Sequence, residues 1–181
     1  MSKVGRRSIS TANVSVSIDG QNINYKGPQA EGTHVLPGCL KATLEGDQLA
    51  ISLVNPNDDK NTKFWGLHRA LVFNEISGSR EKFRKEVKIV GLGFKGILQG
   101  NEIVFSLGYS HKINFTLPEN VTVEIDKTGQ NIVVVSTDKF LAGDVAQKIR
   151  ALRLPEPYKG TGIRFANQVI VRKAGKTKGD K

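Results

Sequence analysis

The sequence lacks the features that mark disulfide-linked, membrane-spanning and secreted proteins. It contains one cysteine, Cys39, so no intrachain disulfide can form, which is consistent with a reducing compartment. No apolar run approaches the roughly 20 residues that cross a bilayer. The basic N-terminus MSKVGRRSIS has no apolar segment after it and is not expected to be a secretory signal. Hydrophobic residues at 38% and charged residues at 24% are instead typical of a soluble globular protein.

Recognisable catalytic and metal-binding motifs are also missing. The three histidines, His34, His68 and His111, are far apart in the sequence, and none has a metal-motif neighbour. The pair Asp58-Asp59 lies in an Asn/Asp-rich segment, where turn formation explains it. No nucleophile elbow, zinc-protease or P-loop pattern occurs. We therefore expect no enzymatic activity, no cofactor and no metal, and name no catalytic residue.

One glycine pattern could be taken for a dinucleotide site. Gly91, Gly93 and Gly96 form G-x-G-x-x-G after a strand-like segment. In a dinucleotide site a helix begins in this loop, so that its N-terminus meets the pyrophosphate. Here the alternating segment 103–107 follows and predicts a strand, so we expect the glycines to permit a bulge or close strand packing. A dinucleotide-dependent enzyme stays an alternative that a nucleotide titration would test.

The positive charge is concentrated at the C-terminal end. The chain has a formal net charge of +10, and residues 148–181 hold ten basic and two acidic residues. Residues 1–80 hold nine basic and seven acidic residues, and residues 81–147 hold eight of each. A block of one sign creates a local field that attracts a polyanion and releases its counterions. The distribution therefore favours a nucleic acid as the partner.

The first half of the chain reads as strands followed by a helix. Val14 to Ile18 alternate with polar residues before an Asp19-Gly20 turn, and two further strands are expected between Leu40 and Leu53. A helix should follow, starting at Asn61 or Thr62 and ending at Gly78. The residues that fall at helical spacing in it are Phe64, Leu67, Leu71 and Ile76.

The second half repeats this order. Strands are expected around Val87 and Ile89, over 103–107, over 121–125 and over 132–135, with a turn at Thr128-Gly129. A helix follows, with Leu141, Val145, Ile149 and Leu152 at helical spacing, and a short strand is expected within 163–172. We predict an α+β fold of two tandem, similar domains, each a small, mostly antiparallel sheet with a helix packed on one face, plus a basic C-terminal tail. The predicted boundaries are 1–81, 82–153 and, for a turn and the tail, 154–181.

The segment PEPYKGTGI carries the clearest chemical signal. Its prolines stiffen the backbone, and Gly160 and Gly162 allow close approach to another surface. Lys159 can contact a phosphate, and Tyr158 offers a ring and a hydroxyl. Composition alone favours an ordinary surface turn whose tyrosine packs on the helix.

The sequence resembles the bacterial large-subunit ribosomal protein L6 family along nearly its whole length. The resemblance is carried by GLHRALVFNEISG, by VKIVGLGFKGILQGNEIVFSLGYSH and above all by IRALRLPEPYKGTGIRF, which is followed by VRKAGK. Several positions depart from the family pattern. Thr161 stands where lysine is usual, Leu154 and Ser8 stand where proline is common, and residues 79–82 differ from the usual sequence between the domains. The resemblance implies two duplicated domains and a structural protein that binds large-subunit rRNA near the sarcin–ricin loop and the factor-binding region.

The resemblance further implies a cytoplasmic protein, resident in the large subunit, whose second domain and tail contact the RNA. Neighbouring ribosomal proteins near the base of the factor-binding stalk are further expected partners, whereas a membrane and a small-molecule substrate are not expected. An RNA-binding or RNA-chaperone module that works off the ribosome is the alternative. The residues expected to bind RNA are Arg153, Tyr158, Lys159, Gly160, Gly162, Arg164, Arg172, Lys173, Lys176 and Lys178.

Overall fold

A computed structural model describes residues 2–55 and 59–175 of the chain. These residues form thirteen strands and two α-helices. They divide into two units, Met1–Lys82 with Thr137–Lys139, and Phe83–Ser136 with Phe140–Lys181. Within each unit the sheets are antiparallel. The predicted α+β class with two similar halves is therefore confirmed.

The first unit contains two three-stranded sheets. One has the order β1-β6-β5 and the other the order β2-β3-β4. The predicted Asp19-Gly20 hairpin joins β2 and β3, and Gly20 takes a φ of 59°, which glycine adopts without a steric cost. The strands are β1 (Ile9–Ser10), β2 (Ser15–Asp19), β3 (Asn22–Lys26), β4 (Glu31–Val35), β5 (Leu40–Glu45) and β6 (Gln48–Leu53).

The helix of the first unit is longer than predicted and buries a different face. A single 3₁₀ turn, Asp59–Asn61, leads into α1 (Thr62–Arg80), which runs through Gly78 instead of ending there. Gly78 and Ser79 are buried, and the Ser79 carbonyl accepts the Gln29 backbone N–H at 2.9 Å. The helix therefore continues because its last turn packs against the loop after β3.

The apolar stripe that predicted α1 is mostly exposed. Phe64, Leu67 and Leu71 are 36%, 51% and 39% exposed. Of the four residues at the predicted spacing only Ile76 is buried, and it packs with Val72, Ile23 and Leu49 in the core of the first unit. Helical spacing thus located the helix correctly, but it did not identify the buried face.

The second unit repeats the arrangement and adds a strand. One sheet has the order β11-β12-β7-β13 and the other the order β10-β9-β8. Helix α2 buries Ala142, Val145, Ala146 and Ile149 against the core, close to the predicted stripe. The elements are β7 (Phe83–Val90), β8 (Lys95–Gln99), β9 (Glu102–Ser106), β10 (Ile113–Thr116), β11 (Val121–Ile125), β12 (Asn131–Ser136), α2 (Lys139–Ala151) and β13 (Gly162–Phe165).

The glycine loop between β7 and β8 leads into a strand, as expected. Gly91 and Gly93 have φ of 153° and 74°, a region that side chains rarely adopt. A Cβ on Gly96 would lie 3.1 Å from Phe105 Cε1, so β8 packs closely on the core there. Within residues 2–55 and 59–175, no helix is long and apolar enough to span a bilayer.

Candidate nucleic-acid interface

Strand β13 fixes the position of the segment that was singled out from the sequence. It pairs antiparallel with β7, and Gly162 lies opposite Val90 and Phe165 opposite Val87. The Ile163 backbone N–H donates to the Arg153 carbonyl at 2.8 Å, which closes the base of residues 154–162. We call these residues the PEPYKG loop. The strand ends at Phe165, so the expectation of a strand within 163–172 is correct only at its start.

The PEPYKG loop is closed by its own hydrogen bonds. Glu156 N–H donates to the Thr161 carbonyl, and Gly160 N–H donates to the Glu156 carbonyl, each at 2.9 Å. The Thr161 hydroxyl donates to a Glu156 carboxylate oxygen at 3.2 Å. The residue that departs from the family pattern therefore ties the two sides of the loop together. Such a loop holds its outward-pointing side chains in fixed places.

The two glycines of this loop are required by its geometry. Gly162 has a φ of 142°, and a Cβ there would lie 2.6 Å from the Leu154 carbonyl oxygen. Gly160 has a φ of 71°, and its Cβ would meet Arg172 Nε at 3.1 Å. Both glycines are buried, so in this structure they shape the loop and seat the Arg172 guanidinium.

Three cations form an exposed patch on this framework. Lys159, Arg172 and Lys173 are all exposed. The Lys173 backbone N–H donates to the Pro157 carbonyl at 2.9 Å, which attaches the start of the tail to the loop. Tyr158 is 54% exposed beside them. We call these three basic residues the cation patch. Positive charges held together can neutralise neighbouring phosphates of a nucleic-acid backbone.

The remaining sequence-predicted residues are placed differently. The Arg153 guanidinium lies 4.9 Å from the ring centroids of both Phe94 and Tyr109 and donates to the Leu107 carbonyl. Arg164 is half-buried in β13 opposite Lys88. The structure thus gives Arg153 contacts within the protein. Lys176 and Lys178 lie outside the described residues.

Two aromatic residues of the same unit were not singled out from the sequence. The rings of Tyr109 and His111 stack, with centroids 5.9 Å apart and planes 21° from parallel. Tyr109 is 46% exposed, and His111 is exposed too. The available signal was the short GYSH segment, where a glycine precedes two ring-bearing residues in a polar loop.

The first unit holds a group of three hydrogen-bonded polar side chains, His34, Glu75 and His68. His34 Nδ1 lies 2.8 Å from Glu75 Oε1, and His34 Nε2 lies 3.0 Å from His68 Nδ1. Burial and the neighbouring His34 lower the pKa of His68 below its usual 6.5, against the opposing effect of Glu75. In the described part of the chain, no three or more His, Cys, Asp or Glu side chains are grouped so that they could hold a metal ion.

Comparison with known proteins covers almost the entire chain. The family model described as ribosomal protein L6 matches residues 90–166, which include the glycine loop, α2 and the PEPYKG loop. The chain is 41% identical to large ribosomal subunit protein uL6 of Nostoc punctiforme, over 98% of this chain and 97% of that protein. It is 39% identical to that of a Synechococcus strain, with the same coverage. It is 37% identical to that of Enterococcus faecalis, over 98% and 99%.

Proposed function

The chain belongs to the ribosomal protein L6 family, and from that premise we propose that it binds large-subunit rRNA through its second unit and tail. The protein is a structural constituent of the large ribosomal subunit and not an enzyme. It serves in translation, in the cytoplasm. In our proposal the bound RNA lies near the sarcin–ricin loop and the factor-binding region, and the protein stabilises the tertiary structure of that RNA.

The observation that carries the proposal is the cation patch. Lys159 lies in a closed loop. Arg172 and Lys173 lie at the start of the tail, which is hydrogen-bonded to that loop. Because the backbone that carries these cations is already closed by hydrogen bonds, it loses less conformational freedom on binding, and more of the interaction energy contributes to affinity. Their contacts are to phosphates, which position the protein without reading the base sequence. The tail residues Lys176 and Lys178 extend the same contact along the RNA backbone.

Arg153 and Arg164 support this contact in different ways. Arg153 closes the base of the loop through its carbonyl, while its guanidinium donates to the Leu107 carbonyl outside the loop. Arg164 presents a partly exposed charge from β13. Gly160 and Gly162 shape the loop, and Tyr158 offers its exposed ring beside Lys159. Ribosomal proteins near the base of the factor-binding stalk are the further partners that we propose.

The test is competition for assembly into large subunits between tagged variants and the parent. Lys159→Glu should assemble several-fold less well, because charge reversal beside a phosphate replaces attraction with repulsion. Lys127→Glu is the matched control. It changes an exposed lysine in the β11–β12 turn, on the far side of β7 from β13, about 10 to 14 Å from β13 at two to three strand spacings.

Circular dichroism should show both variants folded, since an exposed lysine contributes little to stability. Equal assembly of Lys159→Glu and the parent would remove the cation patch from the RNA contact. The alternative, an RNA-binding or RNA-chaperone module that works off the ribosome, is tested by washing subunits in high salt. A constituent of the subunit should remain bound, whereas a loosely associated module should be released.

A further inference from the structure

The Tyr109–His111 ring pair lies in the turn between β9 and β10, outside the cation patch. Its two near-parallel rings are 5.9 Å apart between centroids, so they are displaced sideways and together cover more area than one ring. We propose that this pair is a stacking site for an unpaired nucleobase of the bound RNA. The inference rests on the proposed function and adds a base contact to its phosphate contacts.

The rings are held in place before any ligand arrives. The Tyr109 hydroxyl donates to the Leu152 carbonyl at 3.2 Å, and the Arg153 guanidinium lies over the Tyr109 ring at 4.9 Å. The same guanidinium also lies over the Phe94 ring and donates a hydrogen bond to the Leu107 carbonyl. Gly108, with a φ of 75°, lets the turn approach Phe94 so closely that a Cβ would lie 2.6 Å from the ring.

Arg153 connects the ring pair with the cation patch. Its side chain supports Tyr109, while its carbonyl accepts the Ile163 N–H that closes the PEPYKG loop. The two sites are therefore attached to one residue of one unit. A strand of RNA whose phosphates lie on Lys159 can place a neighbouring unpaired base on the rings. Lys112, exposed directly after His111, adds a positive charge at the rim.

The chemistry favours a base over an apolar protein surface. The turn carries Ser110, His111 and Lys112, all exposed, so the rings have polar and charged neighbours. Aromatic side chains beside cations are how proteins hold unpaired bases, because every base has a π face and every linkage a phosphate. The test must therefore distinguish a stacked base from a partner protein that binds to these rings.

The test measures binding of the full chain to a large-subunit rRNA transcript across a range of salt concentrations at pH 8. His111→Ala should weaken binding about 5- to 150-fold, the usual range for loss of one stacked base. The slope of log affinity against log salt should not change, since no phosphate contact is lost. His111→Phe, which keeps a ring without the imidazole nitrogens, should restore most of the affinity.

The matched control is Phe140→Ala. Phe140 is 76% exposed, but it lies near the start of α2, about 18 Å along the helix from its C-terminal end beside Leu152. Its loss should leave affinity within about twofold of the parent. Chemical probing of the transcript should show one base that is protected by the parent and by His111→Phe, but not by His111→Ala.

The possible failures are distinguishable. If the parent binds the transcript without salt dependence, the proposed function itself fails. If the parent binds with the expected salt dependence but His111→Ala binds equally well, only the stacking site fails. If His111→Ala lowers the salt slope, His111 is a charge contact and stacking is wrong. If it impairs assembly into subunits but not binding to naked transcript, the rings contact a protein and the inference is overturned.

Discussion

The two units share an order of elements but differ at one sheet edge. In each unit the first strand pairs with the second strand of a later hairpin. A separate three-stranded sheet lies between that strand and the hairpin in the chain, and a helix follows the hairpin. The first unit's strand, β1, has two residues and stands at the edge of its sheet. Its counterpart β7 has eight residues and pairs on its far side with β13. The second unit is therefore the repeated unit with one strand added.

That added strand explains why the candidate interface lies in only one unit. The PEPYKG loop enters β13 and the tail leaves it, so the cation patch depends on the pairing of β13 with β7. The charge follows the same division, because residues 148–181 hold ten basic and two acidic residues against nine and seven in residues 1–80. The candidate interface therefore lies in the segment that follows the repeated elements and not in the core that the two units share.

The largest expected effect comes from reversing the three charges of the cation patch. Lys159, Arg172 and Lys173 all changed to Glu should weaken rRNA binding at least 100-fold near 0.15 M salt. The salt slope should fall by about three, because each phosphate contact contributes about 0.9. Filter binding of the rRNA transcript over a salt series measures both quantities.

The control for this prediction is a second triple variant of equal charge change. Lys3, Lys41 and Lys63 are exposed in the first unit, and changing them to Glu should lower affinity only several-fold, through long-range repulsion that salt screens. Losses of similar size in both variants would mean that net charge alone drives binding. The contrast between the units would then have no functional meaning.

The next effect tests whether the PEPYKG loop depends on its glycine geometry. Gly162→Ala should destabilise the protein by about 2 to 4 kcal/mol, because its Cβ would overlap backbone atoms of Leu154 and Pro155. Gly143→Ala is the matched change, since nothing lies within 4 Å of its Cβ position in α2. That variant should stabilise the helix by roughly 0.5 to 1 kcal/mol. Urea unfolding followed by circular dichroism measures the free energy of unfolding of each variant. A Gly162→Ala variant as stable as the parent would refute the close approach of Gly162 to Leu154 and Pro155.

Local patterns predicted the elements, while burial depended on contacts that local patterns do not contain. The Asp19-Gly20 hairpin and both helices follow from residues next to each other in the chain. The buried face of α1 could not be predicted in this way, because that helix carries apolar residues on two sides. Phe64, Leu67 and Leu71 suggested one face, whereas the first unit's core takes Val72 and, of the residues at the predicted spacing, only Ile76.

The candidate site shows the same limit. The PEPYKG segment was recognisable from its glycines and its lysine. The closing of this segment into a loop could not be recognised from the sequence, because Gly162 pairs with Val90, which is far away in the chain. Arg153 looked like one more cation for RNA, yet its guanidinium contacts Phe94 and Tyr109, which only the folded chain brings to it.

A smaller effect is expected at the position that departs from the family pattern. Thr161→Lys should strengthen rRNA binding by about two- to fivefold and raise the salt slope by nearly one, because it adds a cation within the loop. The gain is limited by loss of the Thr161–Glu156 hydrogen bond. Thr161→Val, which loses that bond without adding charge, is the control. A gain for both variants would exclude a charge effect.

The smallest expected effect lies in the first unit and concerns pH. The folded-state pKa of His68 is lowered, by burial first and by His34 second, while Glu75 opposes them. The unfolded chain therefore binds the proton more readily, so stability is greatest above the unfolded pKa of about 6.5 and falls as the pH drops below it. The loss should level off once the pH is below the folded pKa.

The protein's single tryptophan, Trp65, donates its indole N–H to the Ile51 carbonyl within the first unit, so its fluorescence reports unfolding there. The urea midpoint of that signal should decrease from pH 8 to pH 5.5 in the parent and decrease less in His68→Gln, which keeps a polar partner for His34. Identical pH dependence in the two proteins would show that protonation of His68 does not oppose folding.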